Sequence, residues 1–245
     1  MLRDGNHKKN FNLLISTDKD EGSSFMQLFL SLLNRVEDGR KFSFVNPEPL
    51  DSLDEAKDIL ATSVRPFLSK KLDIPMEQLS RIYFNGLNPK IDHSDLLRQT
   101  VGIAFGDMWL ACPTINFAHL IHRNGDVNVK TNVWCPKWTG ACHGDDEFPL
   151  FGDPIRHPSL YSQRIRDISM EMISFMHSFL RNGRPNEMEQ PEWQSYFHVD
   201  HNDGSKVNVI GPYYELSNEY RSRKSYGLDL KRIECEFWQQ FYEYH

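Results

Sequence analysis

The sequence lacks a long hydrophobic run. No apolar stretch approaches the roughly 20 residues of a membrane-spanning helix, and residues 1–10 are polar, without the apolar core of a signal peptide. Hydrophobic residues make up 39% of the chain and charged residues 25%, which is typical of a globular protein. We therefore expect neither a membrane span nor an export signal in this chain, and its 245 residues are enough for one domain, 1–245.

The sequence also lacks an excess of positive charge. Lys and Arg total 28 residues against 34 Asp and Glu, which gives a formal net charge of −6. Proteins that bind nucleic acids present a surplus of basic side chains to the phosphates. The charge balance therefore argues against a nucleic-acid partner.

Cysteine is scarce, with Cys112, Cys135, Cys142 and Cys235 as the complete set. Four cysteines allow three full pairings, and the sequence alone does not choose among them. Cys135 and Cys142 do not predict a zinc site, because their spacing is not the tight spacing of zinc ligands and no second pair exists. The acidic residues at 145–147 could suit a hard cation, but no second acidic cluster is spaced to complete the coordination shell. We expect no metal and no cofactor.

Hydrophobic periodicity predicts an α/β fold. The helix near 160–182 has the strongest pattern, because apolar side chains recur there at spacings of three and four and Gly183 follows. Pro113 removes a backbone donor from the pattern over 94–122, which predicts two helical pieces there. The predicted strands lie near 11–16, 127–134 and 206–210, and the predicted helices near 24–36, 52–70, 94–122, 160–182 and 228–243.

Two short motifs carry candidate chemistry. Glu21, in the sequence Lys-Asp-Glu-Gly-Ser, follows the first predicted strand and is expected at its carboxyl end, where open α/β sheets place functional groups. His143 follows the second predicted strand between Gly140 and Gly144. An acid and then a histidine is the chain order of the α/β-hydrolase triad, whose serine comes earlier on a Gly-x-Ser-x-Gly turn. That turn is absent here, and residues 22–26 come closest but lack the second glycine.

With these motifs the chain resembles the C-terminal part of the type-B carboxylesterases, the family that includes the cholinesterases. Residues 1–9 resemble the stretch before the family's triad acid, and residues 106–114 resemble the helix that carries a disulfide cysteine. Residues 179–186 and 235–238 resemble a late helix end and the closing helix. The resemblance implies a partial α/β-hydrolase fold, in which the predicted strands are the last of a mostly parallel sheet. It also implies that the chain is less than half of a complete family member.

The resemblance assigns roles to residues in both motifs. It implies that Glu21 is the acid and His143 the base of a Ser–Glu–His triad, in which the histidine takes the serine's proton and the carboxylate stabilises the imidazolium. Phe25, Trp134 and Trp138 become candidate walls of the acyl pocket. For Trp134, ordinary core packing is an equal alternative.

The resemblance also implies one disulfide pairing, and one departure from the family's pattern argues against choline specificity. Cys112 with Cys235 matches the family's C-terminal disulfide, which leaves Cys135 and Cys142 as expected free thiols. Ser24 stands where cholinesterases often carry an aromatic ring. Because a quaternary ammonium group is held mainly by aromatic faces, choline specificity is not predicted.

The leading hypothesis is the C-terminal portion of a serine carboxylic-ester hydrolase that acts on a small-molecule ester and is inactive without its serine. The family implies a secreted or cell-surface location for the complete protein and allows a homo-oligomer, although no Asn-x-Ser/Thr sequon supports secretion independently. One alternative is a non-catalytic, cholinesterase-like adhesion protein, against which the retention of Glu21 and His143 argues. Another is a truncated protein that completes its sheet with a second chain, since an exposed strand edge favours aggregation.

Overall fold

The computed structural model describes residues 12–26, 50, 52–68, 73–88, 94–122, 127–128, 140–185, 197–199, 207–209, 211–216 and 226–242. These residues belong to two compact units. The first unit draws on Met1–Asp18, Thr114–Val133 and Gly144–Leu230, and the second unit draws on Lys19–Pro113, Trp134–His143 and Lys231–His245. Glu21 and His143 therefore belong to the same unit, although they are 122 positions apart in the sequence.

The strands of the first unit are short and form pairs. β1 (Leu13–Leu14) pairs in parallel with β2 (Val127–Asn128), so two of the predicted strands are neighbours. The antiparallel pairs are β3 (Phe197–Val199) with β4 (Val207–Val209), and β5 (Pro212–Tyr214) with β6 (Tyr226–Leu228).

The third predicted strand differs from its prediction. Among the described residues, 207–209 belongs to a separate antiparallel sheet and is not paired with β1 or β2. The short connection between β3 and β4 explains the difference, because parallel neighbours need a crossover of a dozen or more residues whereas antiparallel strands do not. Within the described residues, the expectation that all three strands share one mostly parallel sheet is therefore wrong for 207–209.

Helices dominate the rest of the described chain. The predicted helix near 160–182 is confirmed: Ser162 caps its first turn with its side chain, and Gly183, at φ 71°, ends it. Its buried face contributes Ile168 and Met172 to the core of the first unit. No described helix is both long and apolar enough to cross a membrane. The α-helices are α1 (Leu53–Val64), α2 (Met76–Tyr83), α3 (Ser94–Gly106), α4 (Cys112–His122), α5 (Glu147–Leu150), α6 (Asp153–Arg156), α7 (Gln163–Asn182) and α8 (Arg232–Gln239).

A π-helical turn, Asp107–Ala111, joins α3 to α4. Pro113 has no N–H to donate to the carbonyl four residues earlier, and its ring crowds that turn. The hydrogen-bond ladder widens instead, so that the Cys112 N–H donates to the carbonyl of Asp107, five residues back. The prediction of two helical pieces is confirmed, and the junction lies just before the proline.

Two other predicted helices are shorter than expected. α1 gives way at Pro66 to a 3₁₀ turn, Arg65–Phe67, and so ends before residue 70. α8 begins only at Arg232, because Leu228 ends β6 and the turn that follows holds Asp229 at φ 56° and Lys231 at φ 51°, outside the right-handed helical region. The predicted helix near 24–36 is helical over 23–26, and the remainder lies outside the described residues.

A disulfide and a buried ion pair join α8 to the π-turn within the second unit. Cys112 and Cys235 are bonded, as the resemblance implies, with their Cα atoms 5.0 Å apart. Lys231 Nζ lies 2.5 Å from Asp107 Oδ1, and the Tyr83 hydroxyl donates to Asp107 Oδ2 at 3.0 Å. Burial raises the pKa of the Asp107 carboxyl, and the Lys231 charge opposes that rise. The ion pair and the hydrogen bond hold the first residue of the π-helical turn, and the disulfide holds the residue that follows its last.

The expectation for Cys142 is wrong. Cys142 is disulfide-bonded, and no described cysteine is free. The spacing that argues against a zinc pair does not argue against a disulfide, because a disulfide depends on the distance between two Cα atoms, not on their separation in the sequence. Cys135 lies outside the described residues.

Candidate active site

The loop that carries Glu21 packs directly on the backbone of α3. Gly22 in the loop meets Gly102 and Gly106 of the helix so closely that a Cβ built on Gly22 would overlap both backbones. Only glycine allows this approach, since any larger residue would push the loop away from the helix. The packing leaves the Glu21 side chain 10% exposed.

Glu21 and His143 are in direct contact. His143 Nδ1 lies 2.7 Å from Glu21 Oε2, and the histidine side chain is 49% exposed while the glutamate is nearly buried. A carboxylate at Nδ1 keeps the proton on that nitrogen and leaves the lone pair on Nε2. The pair therefore has the arrangement of an oriented general base. The reactive nitrogen is Nε2 of His143, the more exposed of the two side chains.

Two hydrogen bonds tie the loop of the acid to the loop of the histidine. The Asp20 N–H donates to the Ala141 carbonyl at 2.8 Å, and the Ala141 N–H donates to Asp20 Oδ2 at 2.9 Å. Gly140, at φ +70°, makes room for this carboxylate, because a Cβ at that position would overlap Asp20 Oδ2. Asp20 is 2% exposed, and burial raises the pKa of its carboxyl although the Ala141 hydrogen bond opposes the rise.

Aromatic rings adjoin the histidine. The Phe25 ring centroid lies 5.2 Å from that of His143 and 4.8 Å from that of Trp109, with an edge-to-face arrangement toward the tryptophan. Trp109 in turn lies 5.4 Å from Phe67, which is 42% exposed. Phe25, Trp109 and Phe67 form a row of rings that begins at His143, and we refer to these three residues as the aromatic row.

Sequence reasoning selected one member of the aromatic row and missed two. Trp109 lies four residues before Pro113 and outside the apolar stripe of 94–122, which consists of residues 101, 104, 108, 111 and 115. Pro113 leaves the Trp109 carbonyl without its usual helical donor. A tryptophan at that position, outside the apolar stripe, was the signal by which the sequence could have indicated a functional residue. Phe67 carried no such signal. Trp134 and Trp138 lie outside the described residues.

The acidic residues after His143 do not form a metal site in the described part of the chain. No group of three or more His, Cys, Asp or Glu side chains there is placed to hold a metal ion. Asp145 is buried, Asp146 accepts a hydrogen bond from the Ser16 hydroxyl at 3.1 Å, and Glu147 begins α5. These carboxyl groups have separate environments.

Comparison with known proteins gives one consistent family. The model of the carboxylesterase family matches residues 1–238. An acetylcholinesterase of Leptinotarsa decemlineata is 24% identical over 253 residues, which cover 98% of this chain and 35% of that protein. Acetylcholinesterase 4 of Caenorhabditis briggsae is 24% identical over 267 residues, covering 98% and 40%.

A third relative extends the range of named activities. The bile salt-activated lipase of Bos taurus is 32% identical over 111 residues, which cover 44% of this chain and 17% of that protein. The chain spans 35% and 40% of the lengths of the two acetylcholinesterases that match 98% of it.

Proposed function

Since the chain belongs to the carboxylesterase family, we propose that it is the C-terminal part of a serine carboxylic-ester hydrolase, with Glu21 as the triad acid and His143 as the base. The observation that carries the proposal is the 2.7 Å contact between His143 Nδ1 and the nearly buried Glu21 carboxylate. The serine and the donors of the oxyanion hole are proposed to lie upstream of these 245 residues, within an α/β-hydrolase domain that 1–245 completes. We call the chain with that upstream sequence the extended protein.

The proposed reaction uses His143 Nε2 twice. As the serine oxygen attacks the ester carbonyl carbon, Nε2 takes the serine proton, and it then gives that proton to the departing alcohol oxygen. Water attacks the acyl-serine in the second step, Nε2 takes its proton, and the serine oxygen recovers the proton as the acid is released. Glu21 stabilises the imidazolium formed in each step. No metal or other cofactor is needed for this sequence of proton transfers.

The aromatic row supports a proposal about the substrate. Phe25 is proposed as a wall of the acyl pocket, backed by Trp109, with Trp134 and Trp138 as further walls. Aromatic rings bury flat, apolar groups and add edge-to-face contacts. Ser24 offers no ring to a quaternary ammonium group. We therefore propose a neutral carboxylic ester with an apolar or aromatic group as the substrate class.

Trp109→Leu is expected to lower kcat/KM of the extended protein for ethyl benzoate, whose acyl group is aromatic, by about three- to tenfold, because one aromatic contact contributes about 0.5–1.5 kcal/mol. The value for ethyl acetate should change by less than about twofold. Phe151→Leu, at a ring that is 75% exposed in the first unit, is the matched control. An equal loss for both esters would show that Trp109 does not select the substrate.

The disulfide supports a proposal about location. Disulfides persist in oxidising compartments and are rare in the cytosol. The Cys112–Cys235 bond therefore supports a secreted or cell-surface location for the extended protein. Homo-oligomer formation is also proposed, and sedimentation of the extended protein measures it.

The 245-residue chain alone is expected not to hydrolyse p-nitrophenyl acetate above the rate of its His143→Ala variant, whereas the extended protein should. The physical reason is that a base without its nucleophile and oxyanion donors has no acyl acceptor to activate. Turnover by the chain alone would place the nucleophile within these residues. Absence of turnover by the folded extended protein would favour the adhesion-protein alternative.

A further inference from the structure

We propose that Asp20 is a positioning residue that holds Glu21 and His143 at hydrogen-bonding distance. The inference rests on the proposed function of that pair. Asp20 acts through Ala141, to which it is joined by a backbone hydrogen bond at 2.8 Å and a side-chain hydrogen bond at 2.9 Å. We refer to these two bonds as the loop tie.

The loop tie is close to both members of the pair along the chain. Asp20 precedes Glu21 directly, and only Cys142 stands between Ala141 and His143. Two hydrogen bonds that run in opposite directions between the same two residues fix the orientation of the loops as well as their separation. A shift of either loop must therefore break the tie before it can lengthen the contact between Glu21 and His143.

The Glu21–His143 contact needs such support. Its histidine side chain is 49% exposed, so water competes for the same hydrogen bond. One partly exposed hydrogen bond contributes too little net free energy to hold two loops that are 122 residues apart in the sequence. Water competes less for the loop tie, because its acceptor carboxylate belongs to Asp20, which is 2% exposed.

The groups that form the loop tie are not the ones expected if its role were only to stabilise the fold. A buried carboxyl group has a desolvation penalty, and Oδ1 of Asp20 has no hydrogen-bond partner within the described residues. Gly140 must also adopt φ +70° and leave the space of a Cβ empty for Oδ2. Groups that lower the local stability are expected beside a functional site when they hold its side chains in position. The nearby Lys19 and Lys231 charges partly offset the penalty.

The first test uses the 245-residue chain with ¹⁵N-labelled histidine at neutral pH. It measures the exchange rate of the His143 Nδ1 proton, and the His143→Gln variant assigns that signal among the ten histidines. Asp20→Ala should speed this exchange on the order of tenfold or more, because the contact opens more often. Asp20→Asn should keep the exchange near the wild-type rate, because its carbonyl oxygen still accepts from the Ala141 N–H.

The second test measures turnover of p-nitrophenyl acetate by the extended protein. Asp20→Ala should lower kcat on the order of 10²-fold with KM changed little, since a misplaced base loses that much. Asp20→Asn should recover most of the loss. Asp145→Asn, at a buried carboxyl two residues after His143, is the matched control and should leave exchange and kcat nearly unchanged. If Asp20→Ala does not fold, Asp20→Ser, whose side chain is too short to make the side-chain bond of the loop tie, replaces it.

Two results would overturn the inference. One is a folded Asp20→Ala or Asp20→Ser variant with wild-type proton exchange and wild-type kcat. The other is a folded Asp20→Asn variant that fails to restore either quantity. Failure of the proposed function has a different signature, because Glu21→Gln would then keep its kcat while the proton-exchange results for Asp20 would be unaffected.

Discussion

Glu21→Gln should reduce kcat of the extended protein on the order of 10³-fold or more, with its melting temperature little changed. Glutamine keeps the shape of the side chain and its ability to bond to the imidazole, but it carries no charge to stabilise the imidazolium. An amide that donates toward Nδ1 would also favour the wrong tautomer, with the proton on Nε2. Initial-rate kinetics with p-nitrophenyl acetate and a thermal unfolding scan measure both quantities.

His143→Ala and Asp145→Asn are the two reference variants for this prediction. His143→Ala should reduce kcat at least as much as Glu21→Gln, because it removes the proton carrier itself. The effects of the two substitutions should not multiply when combined, since both variants remove one catalytic unit. Asp145→Asn should change kcat by less than about threefold. Near-normal kcat in a folded Glu21→Gln protein would show that the triad acid is another residue.

Loss of the Cys112–Cys235 bond should lower the free energy of unfolding by about 3–5 kcal/mol. The bond joins residues 123 positions apart, so removing it releases a large loop in the unfolded chain. The bond also holds α8 beside the π-turn, where Lys231 pairs with the buried Asp107 carboxylate. Urea unfolding of the 245-residue chain, followed by far-UV circular dichroism, measures the loss for Cys112→Ala and for Cys235→Ala.

The double variant separates the disulfide from the packing of the two thiols. Either single substitution already breaks the bond, so the double variant should be little less stable than either single variant. Additive losses would indicate that cavities at the two sites, not the cross-link, account for the effect. Losses below about 1 kcal/mol would show that the bond contributes little to this chain.

Local patterns predicted the parts of the structure that depend on local chemistry. α7 follows from its apolar spacing and the glycine at its end, all of which lie within about 20 residues. Pro113 predicts a junction in 94–122 because its missing N–H acts within one turn. The motifs around Glu21 and His143 stood out in the sequence, the resemblance assigned their roles, and the two side chains are in contact in the structure.

Features that depend on distant residues were not predictable in the same way. The loop tie joins Asp20 to Ala141 across 121 positions, and neither local sequence indicates which distant residue is the partner. Cys142 required knowledge of which cysteine comes within bonding distance, which spacing does not supply. The strand at 207–209 has the alternating pattern of many strands, but its neighbour and direction depend on the length of its connection to β3.

The most direct test of the Glu21–His143 proposal is the labelling rate of the extended protein by a fluorophosphonate ester, with the adduct located by peptide mapping. A fluorophosphonate reacts with a serine that a neighbouring base activates, so the rate reports the base and the adduct identifies the nucleophile. We predict an adduct on a serine upstream of these 245 residues, and labelling slower on the order of 10²-fold or more in His143→Ala. An adduct on a serine of this chain, such as Ser23, or an unchanged rate in His143→Ala, would contradict the account.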